Sequence, residues 1–386
     1  MLKVVVDATP LLPKPSGVGF YVYNVIRALH TLQAQDNFEL GIVYQPSLKN
    51  WMQGRLSFPE TLTQYPNLYL LPLPVRFTNI LATFPNPLLN YFEQKMGYPD
   101  IMHGTNYAVY PCQKSLKIMN IYDLSFIKYP NYVNSIVRTY TQRVKQSLKW
   151  TDLILTISES SKQDIVHYLH VDPERICVTP LASRYDSRSL TADLMEQTLK
   201  TVNYDFSKPY ILFVSTIEPR KNIIALISAF NQLKQKYKIE HQLVLIGQKG
   251  WKYQSIFAAI EESPWQNEIH HLNYLSDEIV ALFYAKADVF AYPSHYEGFG
   301  LPVLEAMTLG APVVTSNTSS LPEVAGDAAL LIDPNDPIAL AEALLQVITN
   351  SQLRNLLIEK GKERAKLYSW ENTAKATLQA YRTLMT

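Results

Sequence analysis

The sequence predicts two α/β domains, each a parallel sheet wrapped by helices, and three observations lead there. At 386 residues the chain is longer than one ordinary core supports. Short apolar runs alternate with helix-length amphipathic stretches from end to end, the pattern of parallel strands joined by covering helices. That alternation lapses into polar residues once, near 183–208, and then resumes. A linker belongs at that lapse, which divides the chain into a first domain over 1–185, a linker over 186–207 and a second domain over 208–367.

In the first domain, strands are expected at 2–6, 39–44, 68–71, 101–103, 117–122, 153–157 and 176–179. Helices fit the amphipathic stretches 18–32 and 133–150. The second domain repeats the scheme, with strands at 210–214, 242–246, 269–272, 289–292, 312–315 and 329–332. Its helices fit 223–236, 277–285, 303–309, 337–349 and 351–366, and a last helix runs from about 370 to 384. Two similar α/β domains make the cleft between them the first place to seek a site.

Composition narrows the function. Hydrophobic residues are 47% and charged residues 18%, and the net charge is +1, so nothing global recruits nucleic acid. The two cysteines, Cys112 and Cys177, read as free thiols of a reducing compartment. No apolar run approaches the roughly 18 residues of a membrane span, and residues 1–10 read as a strand, not a signal peptide. These features place the chain in the cytoplasm. The segment 106–150 is locally basic, with Lys114, Lys117, Lys128, Arg138, Arg143, Lys145 and Lys149 against Asp123 alone. It is either a solvated face or a seat for anionic lipid or a phosphate-bearing acceptor, which would put the protein at the inner face of a membrane.

Four constellations carry chemistry. The densest is HYEGFGLPVLEAMTL at 295–309, directly after a strand. Gly298 and Gly300 allow close backbone approach, Pro302 suits a first helical turn, and the helix start of Gly298, Phe299, Gly300 and Leu301 offers N–H groups to a phosphate. Glu297 sits in the loop and Glu305 a turn into the helix, so one carboxylate can face a sugar while the other reaches further along the ligand. The second is STIEPRKN at 215–222, which places Arg220 and Lys221 at the carboxyl end of a strand, where two cations can bind a diphosphate. The third is SGVG at 16–19, either a helix-entry turn or a phosphate contact. The fourth pairs HGTNY at 103–107 with YDLS at 122–125, each following a strand. No H-E-x-x-H, C-x-x-C, D-x-D or G-x-S-x-G string occurs, so neither a metal site nor a hydrolase nucleophile is signalled.

On these strings the chain resembles the retaining glycosyltransferases of family 4, and within them bacterial mannosyltransferase-like enzymes of polysaccharide assembly. Glu297 and Glu305 in EGFGLPVLE match that family's two glutamates with seven residues between them. STIEPRKN, GQKGW at 247–251, LNYLSDEI at 272–279, LPEVAGDAALLIDPND at 321–336 and YSWENTA at 368–374 are also similar to family strings. The resemblance implies the GT-B fold: two Rossmann-like domains facing across a cleft, the first for the acceptor and the second for the nucleotide-sugar, with 368–386 packing back on the first. It implies that Glu297 binds donor-sugar hydroxyls and Glu305 the ribose. Arg220 and Lys221 would neutralise the leaving diphosphate, helped by Gly17 and by Thr216, which stands where many members carry Arg. The backbone of Tyr274 and Leu275 would border the base. His103, Asn106 and Tyr122 would lie on the acceptor side, with Asp123 at the reacting sugar. Tyr122 departs from the His of many members, which leaves its role open, because a phenol cannot do imidazole chemistry near neutral pH.

The implied reaction is transfer with retention from a GDP- or UDP-sugar, GDP-mannose favoured, to a glycan or lipid-linked acceptor, without metal or cofactor. The leaving phosphate oxygen would accept the acceptor's proton, so no carboxylate nucleophile is needed. A catalytically silent nucleotide-sugar-binding protein is the alternative from another class, and Tyr122 is the feature that favours it.

Overall fold

The structure, a computed structural model, describes residues 1–11, 17–74, 87–130, 140–186, 195, 199, 202 and 204–386. Most of the expected linker, the start of the 133–150 helix, and Ser16 and Arg138 therefore lie outside the described residues. The contacts divide the chain into two compact units. The first gathers the described residues within Met1–Lys128, Ser135–Leu181 and Trp370–Thr386; the second gathers those within Tyr129–Asn134 and Ala182–Ser369.

The first unit holds a seven-stranded sheet in the order β3-β2-β1-β4-β5-β6-β7, every pairing parallel. Its strands are β1 (Leu2–Asp7), β2 (Phe38–Tyr44), β3 (Leu68–Leu70), β4 (Ile101–Gly104), β5 (Leu116–Asn120), β6 (Leu153–Thr156) and β7 (Ile176–Val178). The second holds six parallel strands in the order β10-β9-β8-β11-β12-β13. They are β8 (Tyr210–Val214), β9 (Gln242–Ile246), β10 (Ile269–Leu272), β11 (Val289–Tyr292), β12 (Val313–Ser316) and β13 (Ala329–Ile332). Helices covering both faces make the central strands continuous apolar runs, and every residue of β4, β6, β9 and β11 is buried. Strand order reverses between β1 and β4 in one sheet and between β8 and β11 in the other. A doubly wound sheet opens a crevice at that switch point, beyond the carboxyl ends of its strands.

Helix ends fall within a residue or two of expectation where the apolar stripe is clear, as in Gly17–Gln33, Asp277–Lys286 and Pro337–Thr349. The expected 223–236 helix is α-helical over Ile223–Gln232 and widens to a π-turn over Leu233–Tyr237. The carboxyl-terminal helix Trp370–Met385 belongs to the first unit. Trp370 packs edge-on against Phe20 at 5.6 Å between centroids, and the Thr373 hydroxyl donates to the Pro180 carbonyl at 2.6 Å. Among the described residues no helix is long and apolar enough to cross a membrane.

Candidate active site

Two loops meet at the switch point of the second sheet. After β8, Pro219 opens a short 3-10 turn, Pro219–Lys221. Asn222 closes it at φ +57 and starts the next helix, its side-chain amide donating to the Pro334 carbonyl at 2.6 Å. After β11, Ser294–Gly300 leads into the helix Leu301–Leu309. Gly300 turns the chain at φ +108, where a side chain would be strained and a Cβ would also lie 2.9 Å from Leu321. The His295 N–H donates to the Arg220 carbonyl at 2.9 Å and stitches the loops together.

This stitching gathers Arg220, Lys221 and Glu297. Lys221 Nζ donates to Glu297 Oε1 at 2.6 Å and to the Tyr292 hydroxyl at 2.8 Å. Arg220 Nη1 lies 3.2 Å from Glu297 Oε2, and Nη2 lies 2.7 Å from Glu218 Oε1. The Ser294 hydroxyl adds a 2.6 Å bond to Glu297 Oε1. Lys221 is 6% exposed and Glu297 8%. The two cations hold the Glu297 carboxyl down to about 2 despite its burial. Burial and the neighbouring Arg220 charge lower Lys221. Two carboxylates thus balance two cations in a water-poor site, which keeps the cations in place without a ligand.

Sequence reasoning missed the parts that aim this cluster. Glu218, within STIEPRKN, is one of them. Its Oε2 accepts from Trp251 Nε1 at 3.0 Å, which is what GQKGW contributes. Gly247, in the same string, sits at φ +150 where a Cβ would lie 1.9 Å from the Ser215 carbonyl oxygen, so the β8 and β9 loops close up only around glycine. Arg184 was also missed: its Nε donates to Glu305 Oε1 at 2.6 Å, and its Nη1 lies 3.0 Å from Asp277 Oδ1. Glu305 is 2% exposed, and burial raises its carboxyl while Arg184 opposes the rise. The other residues expected on the donor side divide by access. Thr216 and Tyr274 are exposed, and Leu275 and Leu301 are half-buried. Phe299 is buried with its ring edge-on to Tyr368 at 5.6 Å, so it offers backbone only.

In the first unit, Gly17 opens the helix Gly17–Gln33, exposed and with open space where a Cβ would stand. Asn106 is half-buried, and Asp123 Oδ1 accepts from the Ser125 N–H at 2.9 Å. Two expectations need correction. His103 has no exposed surface, and both ring nitrogens are taken. The Tyr381 hydroxyl donates to Nδ1 at 2.7 Å, Nε2–H donates to Asn120 Oδ1, and Asn120 Nδ2 donates to the Tyr21 hydroxyl at 3.2 Å. Burial lowers the imidazole to about 4, so it is a neutral link between sheet and carboxyl-terminal helix, not an acceptor contact. The Tyr122 hydroxyl is likewise buried and donates to the Thr105 carbonyl. Tyr122→Phe is therefore expected to cost about 1 kcal/mol of stability by stranding that carbonyl. Steady-state kinetics should stay unchanged; a raised KM or lowered kcat would return the hydroxyl to the site.

The basic run 106–150 is also broken up. Lys117 pairs with Asp152 at 3.0 Å and Lys128 with Asp164 at 3.1 Å, and Arg143 Nε is shut off from solvent, which leaves Lys114, Lys145 and Lys149 exposed. Both cysteines are free, and burial pushes Cys112 up to about 12. Among the described residues no three His, Cys, Asp or Glu side chains gather as a metal site.

Comparison with known proteins adds three findings. The family described as glycosyl transferases group 1 matches residues 197–364, which span both loops of the cluster. The chain is 37% identical to O-antigen chain mannosyltransferase B of Escherichia coli, over 99% of this chain and 100% of that one. Among solved structures it resembles sucrose-phosphate synthase from Thermosynechococcus elongatus, with a TM-score of 0.73, 20% identity and coverage of 100% and 99% of the two chains. It also resembles Anabaena HepE in complex with UDP and glucose, with a TM-score of 0.71, 14% identity and coverage of 99% and 100%. The charged pair at the switch point, the paired glutamates and a full-length relative at this identity lead to one conclusion: the chain belongs to the group 1 glycosyl transferases, enzymes of GT-B fold.

Proposed function

We propose that the protein transfers mannose from GDP-mannose to a glycan or lipid-linked acceptor, with retention at the anomeric carbon and without a metal ion. One observation carries this reading: Arg220, Lys221 and Glu297 are preassembled at the carboxyl ends of β8 and β11. As the glycosidic bond lengthens, positive charge grows on the sugar and negative charge on the leaving diphosphate. Glu297 answers the first charge. The two cations and the start of the helix Leu301–Leu309 answer the second, and fixed charges in a dry site do so with little reorganisation. Tyr274 and Leu275, at the end of β10, border the base, and the first unit presents the acceptor. The Escherichia coli relative, an O-antigen chain mannosyltransferase, supports mannose as the sugar and a growing polysaccharide as the acceptor.

The test offers GDP-mannose and a panel of UDP-sugars with a mannose-terminated oligosaccharide, and reads released nucleoside diphosphate and the product anomer by NMR. GDP-mannose should be consumed and its α configuration kept. Preference for a UDP-sugar would move the donor, a β product would overturn retention, and no release from any donor would leave a nucleotide-sugar-binding protein. Activity should also survive excess EDTA, because Arg220 and Lys221 supply the charge that a cation would otherwise bring. Complete loss, restored by Mg²⁺ or Mn²⁺, would sink the metal-independent mechanism.

A further inference from the structure

Glu305 is deeply buried and yet incompletely bonded. Arg184 Nε takes Oε1 at 2.6 Å, whereas Oε2 has, among the described residues, a single long contact from the Tyr284 hydroxyl at 3.4 Å. The neighbouring Tyr185 hydroxyl is buried and has no hydrogen-bond partner among the described residues. An acceptor oxygen and a donor hydroxyl both short of partners, in a place closed to water, call for a ligand that carries hydroxyl groups. Arg184 is itself held in place. Its Nη1 lies 3.0 Å from Asp277 Oδ1, so the guanidinium bridges carboxylates from two helices, Asp277–Lys286 and Leu301–Leu309.

We propose that Arg184 is a positioning residue for nucleotide recognition: its guanidinium fixes the charge and the orientation of Glu305, so that Oε2 is presented to the ribose hydroxyls. The inference rests on the reading above in which Glu305 meets the ribose. Arg184 acts in two ways. The Nε bond sets the rotation of the carboxylate and reserves one oxygen, and the positive charge favours the ionised form of a buried carboxyl. The groups facing Glu305 are Arg184 and Tyr185 on one side and Asp277 and Tyr284 on the other, with Glu278 beyond them facing Tyr185. Asp277 works against ionisation of Glu305, and Arg184 is the cation that opposes it. Without the guanidinium, burial and Asp277 act together, and both favour the protonated carboxyl. A neutral carboxyl accepts weaker hydrogen bonds from ribose than a carboxylate does.

The experiment is calorimetry on the full chain with GDP and UDP as probes, from about pH 6 to about pH 9, with melting curves to confirm folding. The wild type should bind one nucleotide, and its pH profile, which carries the titration of the nucleotide's own terminal phosphate, is the reference for the variants. Arg184→Gln should bind roughly tenfold or more weakly than wild type near neutrality, and the ratio of the two affinities should shrink as pH rises and Glu305 ionises. Arg184→Lys restores the charge without the fork, so it should regain the wild-type pH profile with part of the affinity. It also keeps the test valid if Arg184→Gln does not fold. Wild-type affinity in Arg184→Gln, or a loss that does not vary with pH, would overturn the proposal. An Arg184→Lys affinity whose ratio to wild type varies with pH as that of Arg184→Gln does would overturn the role of charge. Arg184 defects beside a Glu305→Gln variant that binds normally would mean that Arg184 touches the nucleotide itself. If the wild type binds neither probe, the functional reading fails and takes this inference with it.

Discussion

Lys221→Met is expected to lower kcat by roughly 100-fold or more while the protein stays folded. The ammonium sits 2.6 Å from Glu297, is all but closed to water, and faces the Tyr292 ring at 5.2 Å, so a methionine of similar length can occupy its space. What is lost is a fixed positive charge in a dry site at the point where the leaving diphosphate develops negative charge. KM should change less than kcat, because the extra negative charge on the distal phosphate appears only as the glycosidic bond breaks, and Arg220 remains to hold the charge that the ground-state donor already carries. The substitution leaves Glu297 with Arg220 and Ser294, and a stability loss of about 1–3 kcal/mol follows from the missing partner. That loss has a signature in acid. The Glu297 carboxyl is held at about 2, below its unfolded value, so its stabilising contribution is fully present above the unfolded value and disappears as pH falls towards 2. The gap in stability between wild type and Lys221→Met should therefore close as the solution is acidified through that window. A folded variant with near-normal turnover would remove Lys221 from the chemistry. A gap that does not close in acid would show that the stabilising partner is not Glu297.

The sheets were legible because parallel strands covered on both faces must be continuous apolar runs, and β8, β9 and β11 are just that. Among the helices that were not placed are Glu159–Leu169 and Gln254–Glu261. In the first, the buried residues are Ser161, Asp164 and Ile165, so it buries no apolar stripe that periodicity could reveal; the second is only 8 residues long, too short for its apolar face to repeat. The site was legible in its charges and not in their partners. Arg220, Lys221, Glu297 and Glu305 stand in short strings beside strand ends. Arg184 reaches Glu305 across 121 positions, and no local pattern announces such a pair. His103 and Tyr122 show the opposite error. Polar residues at strand ends read as site residues, but the surroundings of His103 are completed by Tyr381, 278 positions away on a helix that closes over the first sheet.

The last expectation separates the two glutamates, and the structure sharpens it. Glu297→Gln keeps the shape of the side chain and removes a charge that touches both Lys221 and Arg220. The sugar's growing positive charge then loses its carboxylate, and kcat should fall by roughly 100-fold or more. Binding of free nucleoside diphosphate should not weaken. The two cations, no longer neutralised by Glu297, have more charge to offer a diphosphate, so affinity should hold or improve. Glu305→Gln should do the reverse. Its carboxylate lies a turn inside the helix Leu301–Leu309, fixed to Arg184 and away from the cation pair, so the loss of a charged hydrogen bond to ribose should cost about 1.5–3 kcal/mol of nucleotide affinity. Turnover at saturating donor should be affected less. Calorimetry with GDP and UDP beside steady-state rates reads both. A reversed pattern, with Glu297→Gln losing nucleotide and Glu305→Gln binding normally, would exchange the two roles. If neither substitution altered binding or rate, the glutamate pair would be scaffolding, because a carboxylate held at 2.6 Å from a buried lysine cannot lose its charge unnoticed if that lysine meets the substrate.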